Sequence, residues 1–166
     1  MTAEKLINRW DYDLINKIVL TLNEGKDITE LLKELPQVKS APARKDKLDL
    51  RGINLSYQNL RGPWIIEDNN RFRAGVCLEN ADLSYADLSW AILPRANLKN
   101  SVLRFANLSN AELIYADFSN ADLEKADLQG AWLLDTVFTG ANITQNQLDL
   151  RRKLGQLDFD YHAYKL

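Results

Sequence analysis

The feature that most constrains this 166-residue chain is a large apolar residue at every fifth position of its second half. All but three members of this series are leucine, and alanine stands two positions earlier in all but four cases. Asp or Asn often lies between the small and the large residue. The large residues are Leu78, Leu83, Leu88, Leu93, Leu98, Leu103, Leu108, Leu113, Phe118, Leu123, Leu128, Leu133, Phe138, Ile143 and Leu148.

A period of five fits neither an α-helix, which repeats every 3.6 residues, nor a β-strand, which alternates every two. A square coil with one pentapeptide per side does return the chain to the same environment. The large residue and the small residue two before it then point inward. Successive coils pair their backbones at about 4.8 Å, which makes residues 20 apart neighbours. Corner residues need positive φ, which suits the column Asn80, Asn100, Asn120 and Gly140.

Several segments carry a recognisable signature. Residues 81–85 read AlaAspLeuSerTyr, residues 96–100 read AlaAsnLeuLysAsn and residues 121–125 read AlaAspLeuGluLys. They resemble the A(D/N)LXX repeat of the pentapeptide-repeat family, which is especially abundant in cyanobacteria. The resemblance implies an all-β solenoid, a right-handed quadrilateral β-helix with four repeats per coil. It implies little about function, because one fold supports many functions.

An earlier block of apolar residues runs in a different phase. Leu50, Leu55, Leu60 and Ile65 are five apart, but the next member of the main series is Leu78. We therefore predict a β-helix over residues 48–150, of four to five coils, with a loop insertion near 66–75. Within the insertion, Glu67 to Asn70 is typical of an exposed loop, and Phe72 is a candidate to re-enter the core.

The two ends of the chain lack the repeat. Apolar residues spaced by four from Leu6 to Leu22 predict an amphipathic helix, and a second helix follows Asp27 or Thr29 and stops at Pro36. We interpret residues 1–36 as a helical hairpin that caps one end of the solenoid; the alternative is that its apolar stripe docks a partner helix. Residues 37–47 form a linker, and residues 151–166 form a C-terminal cap or tail.

Catalytic and metal-binding patterns are missing from the sequence. The chain has one histidine, His162, and one cysteine, Cys77, with no zinc spacing and no glycine-rich phosphate loop. We predict a non-catalytic protein without cofactor or metal. The lone cysteine and the lack of a signal-peptide pattern favour a cytoplasmic location. The net charge of −2 and the lack of a long apolar run favour neither direct nucleic-acid binding nor membrane binding.

One side of the predicted coil carries apolar residues at positions that point outward. Such a surface is covered by the chain itself, or it binds a second copy or another protein. We predict a protein-interaction or scaffolding module whose partner is an unidentified protein, a homodimer being one form of the contact. A short column also stacks Tyr85 on Phe105. The candidate surface consists of Trp90, Ile92, Pro94, Ile114, Tyr115, Trp132 and Leu134.

An alternative function follows from the family resemblance. Some pentapeptide-repeat proteins imitate the width and charge of duplex DNA and thereby protect DNA gyrase, a type II topoisomerase. Residues 76–150 hold ten acidic and four basic residues, which suits such a DNA mimic. The basic residues Arg95, Lys99, Arg104 and Lys125 interrupt the acidic surface and count against this function.

Overall fold

The structure is a computed structural model that describes residues 7–33, 48–67, 70–149 and 164–165. The predictions for the linker at 37–47, for most of the tail at 151–166 and for the side chain of Phe72 lie outside the described residues. The regular elements are α1 (Tyr12–Asn23), α2 (Thr29–Leu32), β1 (Leu48–Asp49), β2 (Trp64–Glu67), β3 (Asn70–Arg73), β4 (Ala81–Asp82), β5 (Thr136–Val137), α3 (Gln145–Asp149) and β6 (Tyr164–Lys165).

Residues 48–140 wind into four coils: residues 48–80, 81–100, 101–120 and 121–140. Parallel bridges join Cys77 to Asn97 and Asn97 to Asp117, so each bridge connects equivalent positions of successive coils. The prediction that residues 20 apart are neighbours is therefore confirmed. Most of these contacts are single bridges between faces that bend again after one pentapeptide. The solenoid accordingly contains little regular sheet, mainly the parallel pair of β1 with β4.

The interior of the coils is filled by the two inward positions of each repeat, as predicted. We number the four faces by their large inward residues. Where Ser101 and Thr136 replace the small alanine, their hydroxyls donate to the carbonyl oxygens of Leu98 at 2.6 Å and Leu113 at 2.8 Å. The large inward residues that define the faces are all at most 2% exposed. They are Leu50, Leu83, Leu103 and Leu123 on face 1; Leu55, Leu88, Leu108 and Leu128 on face 2; Leu60, Leu93, Leu113 and Leu133 on face 3; and Leu78, Leu98, Phe118 and Phe138 on face 4.

Each corner of the coil is a tight turn. The amide of Ala86 donates to the carbonyl of Leu83 at 3.0 Å, and Tyr85 between them has φ of 62°. A positive φ at the third turn residue is the geometry of a type II turn, which favours Gly or Asn. The predicted corner column conforms: φ is positive at Asn80, Asn100, Asn120 and Gly140.

Side chains on three of the faces reinforce these turns. The carboxylate of Asp87 accepts a hydrogen bond from the amide of Ser89 at 3.0 Å, two positions further along. This Asx-type bond satisfies a backbone donor locally and favours the bend. The same bond occurs on faces 1, 2 and 4 at Asn54, Asp82, Asn97, Asn107, Asp117, Asp122 and Asp127.

The first coil contains an inserted β-hairpin. Asn54 bridges to Asp87, a separation well beyond that of the regular coils, and the additional residues form the antiparallel pair of β2 and β3. The prediction that Ile65 continues the inward series is wrong, since Ile65 lies in β2 and is 36% exposed. Leu78 takes the inward position on face 4 instead. The turn residues Asp68 and Asn69 lie outside the described residues.

Two glycines allow the chain to leave the coil and return to it. Gly62 and Gly75 both have positive φ, and a Cβ at Gly62 would lie 2.1 Å from the carbonyl oxygen of Gly75. The amide of Gly75 donates to the carbonyl of Arg61 at 3.2 Å, which closes the base of the insertion. The hairpin therefore projects from the corner between faces 3 and 4 without breaking the coil.

Helix α1 lies across the open end of the first coil. Its buried residues Ile18, Val19 and Leu22 join the same apolar core as the coil residues. Helix α1 begins at Tyr12, later than the predicted residue 6, and is capped by the side chain of Asp11, which accepts a hydrogen bond from the amide of Leu14 at 2.7 Å. An aspartate at this position satisfies a free amide at the start of a helix.

Polar contacts fasten both sides of this helical segment to the coil. The indole of Trp10 donates to the carbonyl of Arg51 at 2.9 Å, on face 1. The amide side chain of Asn23 donates to the carbonyl of Asn59 at 2.6 Å and accepts from the amide of Gly62 at 3.0 Å, on face 3. The segment therefore spans the coil from one face to the opposite one.

The repeat ends in a short helix after the fourth coil. The repeat pattern predicts that Leu148 is one more inward residue of the coil, but it lies in α3, although it is still buried. Thr144 and Gln147 exchange backbone and side-chain hydrogen bonds at 2.9 and 3.4 Å, which is a capping box that starts a helix. Further along, β6 pairs in parallel with β5, on face 4 of the fourth coil.

Candidate interaction surface

Face 3 presents two outward columns of side chains. Bridges align Asn59, Ile92, Glu112 and Trp132 in one column. Arg61, Pro94, Ile114 and Leu134 occupy the other, two positions further along in each coil. The structure thus places five residues of the candidate surface on face 3: Ile92, Pro94, Ile114, Trp132 and Leu134. The remaining two lie at the corners that bound it, Trp90 on the side of face 2 and Tyr115 on the side of face 4.

The surface is most open towards the fourth coil. Trp132 is 52% exposed and Leu134 41%, and Tyr115 and Trp90 at the corners are about as exposed. Ile92, Pro94 and Ile114 are half-buried. A large indole and a leucine therefore stand exposed on a backbone that the bridges hold in place.

Face 3 departs from the turn chemistry of the other three faces. Faces 1, 2 and 4 carry a backbone-bonding Asp or Asn in at least two coils each, although Val102, Cys77 and Val137 interrupt the series on faces 1 and 4. Face 3 instead has Ile92, Glu112 and Trp132 in three consecutive coils. A hydrogen bond of this kind contributes roughly 0.5–1.5 kcal/mol. Face 3 therefore lacks this local bond in three successive coils, and its turns form without it.

Charges are sparse on face 3 and partly neutralised elsewhere. Arg61 lies 3.6 Å from Glu112, an exposed ion pair of small energetic value. On face 4, burial alone would raise the pKa of Asp117, but hydrogen bonds from Ser119 and the charge of Lys99 at 3.1 Å lower it. On face 1, Arg104 pairs with both Asp122 and Glu124.

Aromatic residues line the corners on both sides of face 2, and all of them are exposed except half-buried Tyr85. Tyr85 and Phe105 stack with ring centroids 5.0 Å apart, which confirms the predicted column. Tyr57 and Trp90 stack as well, at 6.1 Å. The regular spacing does not reveal the second pair, because the hairpin lengthens the coil between Tyr57 and Trp90.

Comparison with known proteins places these repeats in a family. A family model of pentapeptide repeats matches eight copies between residues 75 and 149. The crystal structure of the pentapeptide repeat protein Rfr23 from the cyanobacterium Cyanothece 51142 is 32% identical; the match covers 57% of this chain and 76% of that one, with a TM-score of 0.32. The chain belongs to the pentapeptide-repeat family.

Other solved pentapeptide-repeat proteins are similar over a smaller part of their own length. A protein from the thylakoid lumen of Arabidopsis thaliana is 33% identical, over 58% of this chain and 62% of that one, with a TM-score of 0.39. HetL from Nostoc sp. strain PCC 7120, involved in the regulation of heterocyst differentiation, is 36% identical, over 60% and 38%, with the same TM-score. This chain thus spans less than two thirds of either protein. No curated protein matches it significantly.

The described part of this pentapeptide-repeat protein offers no metal site. Within residues 7–33, 48–67 and 70–149, no group of three or more His, Cys, Asp or Glu side chains is placed to hold a metal ion. In the same ranges, no helix is long and apolar enough to span a membrane. Cys77 is exposed on face 4, and His162 lies outside the described residues.

Proposed function

We propose that this pentapeptide-repeat protein is a non-catalytic scaffold that binds a protein partner through face 3. The observation that carries the proposal is the replacement of the turn-forming Asp or Asn by Ile92, Glu112 and Trp132, next to exposed Leu134. Aromatic residues in the centre of a contact supply much of its binding energy, which makes Trp132 the expected anchor.

The rigidity of the solenoid favours this function. Backbone bridges hold face 3 on both sides, so little conformational freedom is lost when a partner binds. At roughly 4.8 Å per coil, the four coils give the face a height of only about 15 Å. The matching partner therefore has a small, flat apolar patch, as a second copy of this chain also does.

Site-specific photo-crosslinking tests the proposal. A photoreactive phenylalanine analogue is placed at Leu134 on face 3, at Ser109 on face 2 or at Thr139 on face 4, and the protein is irradiated in cells that normally make it. We expect a defined product from position 134 that disappears when Trp132→Ala is added. Equal products from all three positions, or a product at 134 that survives Trp132→Ala, would contradict the proposal.

The acidic solenoid supports DNA mimicry as a second candidate. Asp87 and Asp127 reach the solvent on face 2 and Asp122 on face 1, and residues 76–150 have six more acidic than basic residues. However, Lys99 and Arg104 neutralise part of this charge, and face 3 is apolar. A supercoiling assay with DNA gyrase, with and without a quinolone, separates the two candidates. The scaffold function predicts no effect, whereas inhibition or protection would favour the mimic.

A further inference from the structure

The hairpin in the first coil has one side that combines arginine with apolar residues. In β2 and β3, Trp64 lies opposite Arg73 and Ile66 lies opposite Arg71. Residues opposite each other in an antiparallel pair, and every second residue along it, share one side of the sheet. These four residues therefore form one surface, which we call the Arg–Trp surface.

The arginines of this surface are held in place by the indole. The guanidinium carbons of Arg71 and Arg73 each lie 4.3 Å from the centre of the Trp64 ring. Arg73 also donates to the carbonyl of Gly62 at 2.8 Å, at the base of the hairpin. Such cation–π contacts restrict the long side chains and leave the planar guanidinium groups ordered before any partner binds.

The Arg–Trp surface is not part of the apolar core. Ile66 is 78% exposed and Trp64 half exposed, so neither side chain is buried by the coil. A two-stranded hairpin is only marginally stable by itself. This one is built into the coil through Gly62 and Gly75, and it presents its apolar side chains outward.

The charge of this surface is opposite to that of the solenoid that carries it. Among the side chains that the structure describes, no carboxylate lies within ion-pair distance of Arg71 or Arg73. Residues 76–150 are instead net acidic, with ten acidic and four basic residues. Two ordered cations thus stand beside exposed apolar groups on an otherwise acidic molecule.

We infer that the Arg–Trp surface binds an acidic peptide segment of a partner protein. Guanidinium groups bind carboxylates through paired hydrogen bonds, and an apolar side chain of the same segment packs on Ile66. A nucleic acid fits less well, because the Trp64 ring already contacts two guanidiniums and the acidic faces repel a long polyanion. The inference does not depend on face 3, which shares no residue with this surface.

Selection from a phage-displayed library of random dodecapeptides tests the inference on the full chain. We expect enriched peptides to combine several Asp or Glu residues with an apolar residue. The affinity of one enriched peptide, labelled with fluorescein, is then measured by anisotropy. Arg71→Glu with Arg73→Glu should weaken binding at least about tenfold. Lys17→Glu with Lys125→Glu changes the net charge equally and should leave the affinity within about twofold.

Two further variants distinguish a loss of binding from a folding defect. They are needed because Arg73→Glu also removes the hydrogen bond to the carbonyl of Gly62. Arg71→Glu alone and Ile66→Ser change exposed side chains, so the melting temperature should stay constant while binding weakens at least about threefold. Trp132→Ala with Leu134→Ser on face 3 should bind the peptide normally. The inference is overturned if the library yields no acidic peptides, if the arginine variants bind as well as the wild type, or if a single-stranded oligonucleotide of mixed sequence binds more tightly than the peptide.

Discussion

The inward leucines fill the solenoid with one large side chain per face. Leu108 is completely buried, and backbone hydrogen bonds join its repeat to the coils on both sides. The amide of Leu88 donates to the carbonyl of Asn107 at 2.7 Å, and the amide of Leu108 donates to the carbonyl of Asp127 at 2.7 Å. The backbone therefore cannot close a hole left by truncation. We expect Leu108→Ala to lower the free energy of unfolding by about 2–5 kcal/mol in urea denaturation. Wild-type stability would contradict the inward assignment.

The small inward position has the opposite constraint, because the interior of the coil has no space for a larger side chain there. Ala106 is buried beside Leu108, and both neighbouring coils fix the width of the square. We expect Ala106→Leu to destabilise the protein by about 1–3 kcal/mol, since an overpacked interior has little room to relax. Gln129→Leu, at an exposed outward position of the same face, is the matched control. Its unfolding free energy should change by no more than about 0.5 kcal/mol.

Within residues 76–140, period and size are enough to assign the large and small residues of each repeat to the inside. The Leu and Ala of the repeat follow from the space that one side of the square leaves. Ser101 and Thr136 are exceptions to Ala that are small enough to be buried in its place. The aromatic corners were harder to predict, because Trp90 and Tyr57 adopt a positive φ that bulky residues normally avoid. The turn is set by the coil as a whole and not by the preference of the residue that occupies it.

At the scale of elements, a buried ion cluster links the N-terminal segment to the first coil. Asp49 accepts hydrogen bonds from Arg9 at 2.7 and 2.8 Å and from Arg51 at 2.8 and 3.0 Å. Burial alone would raise the pKa of Asp49, but the hydrogen bonds and charges of Arg51 and Arg9 outweigh it and hold the pKa far below its usual range. The charged form of Asp49 is therefore the one that the fold stabilises.

This cluster predicts how stability depends on pH. The folded pKa is lower than the unfolded value of about 3.9, so the contribution of Asp49 is complete above about pH 4 and is lost as the pH falls towards the folded pKa. Asp49→Asn should cost about 3 kcal/mol at pH 7, because it leaves buried Arg9 without its partner. Urea unfolding between neutral and acid pH should show a weaker acid dependence in this variant. An acid dependence equal to that of wild type, with Asp127→Asn as control, would contradict the assignment.

Removal of the N-terminal segment tests what α1 does for the solenoid. Without residues 1–35, the apolar end of the first coil and its unpaired backbone are exposed to other molecules. We expect the truncated protein to associate or precipitate, as measured by light scattering at increasing concentration. A monodisperse truncated protein would show instead that the segment is a separate docking module.

The two elements that interrupt the repeat show the limits of a periodic pattern. Ile65 keeps the spacing of five although it lies in the hairpin, and the close approach of Gly62 to Gly75 depends on residues distant in sequence. The start of α3 could be predicted from the sequence, since Thr144 and Gln147 have the spacing of a capping box. The stronger repeat pattern concealed it.

At the scale of the whole molecule, the four faces share one backbone but differ in chemistry. Faces 1, 2 and 4 carry Asp and Asn that stabilise their own turns, whereas face 3 carries apolar residues and one ion pair. Face 3 could be identified from the sequence, because four pentapeptides per coil align Ile92 with Trp132. The Arg–Trp surface could not, since it depends on the pairing of β2 with β3.

The most direct test of the account compares stability with association in one variant, Trp132→Ala with Leu134→Ser. Both side chains are exposed, so urea denaturation should give an unfolding free energy within about 0.5 kcal/mol of wild type. Self-association in sedimentation, or capture of the crosslinked partner, should weaken by about 2 kcal/mol or more. Ser89→Ala with Gln129→Ala on face 2 should change neither. A clear loss of stability with unchanged association, or no change in either quantity, would contradict the claim that face 3 is a binding surface.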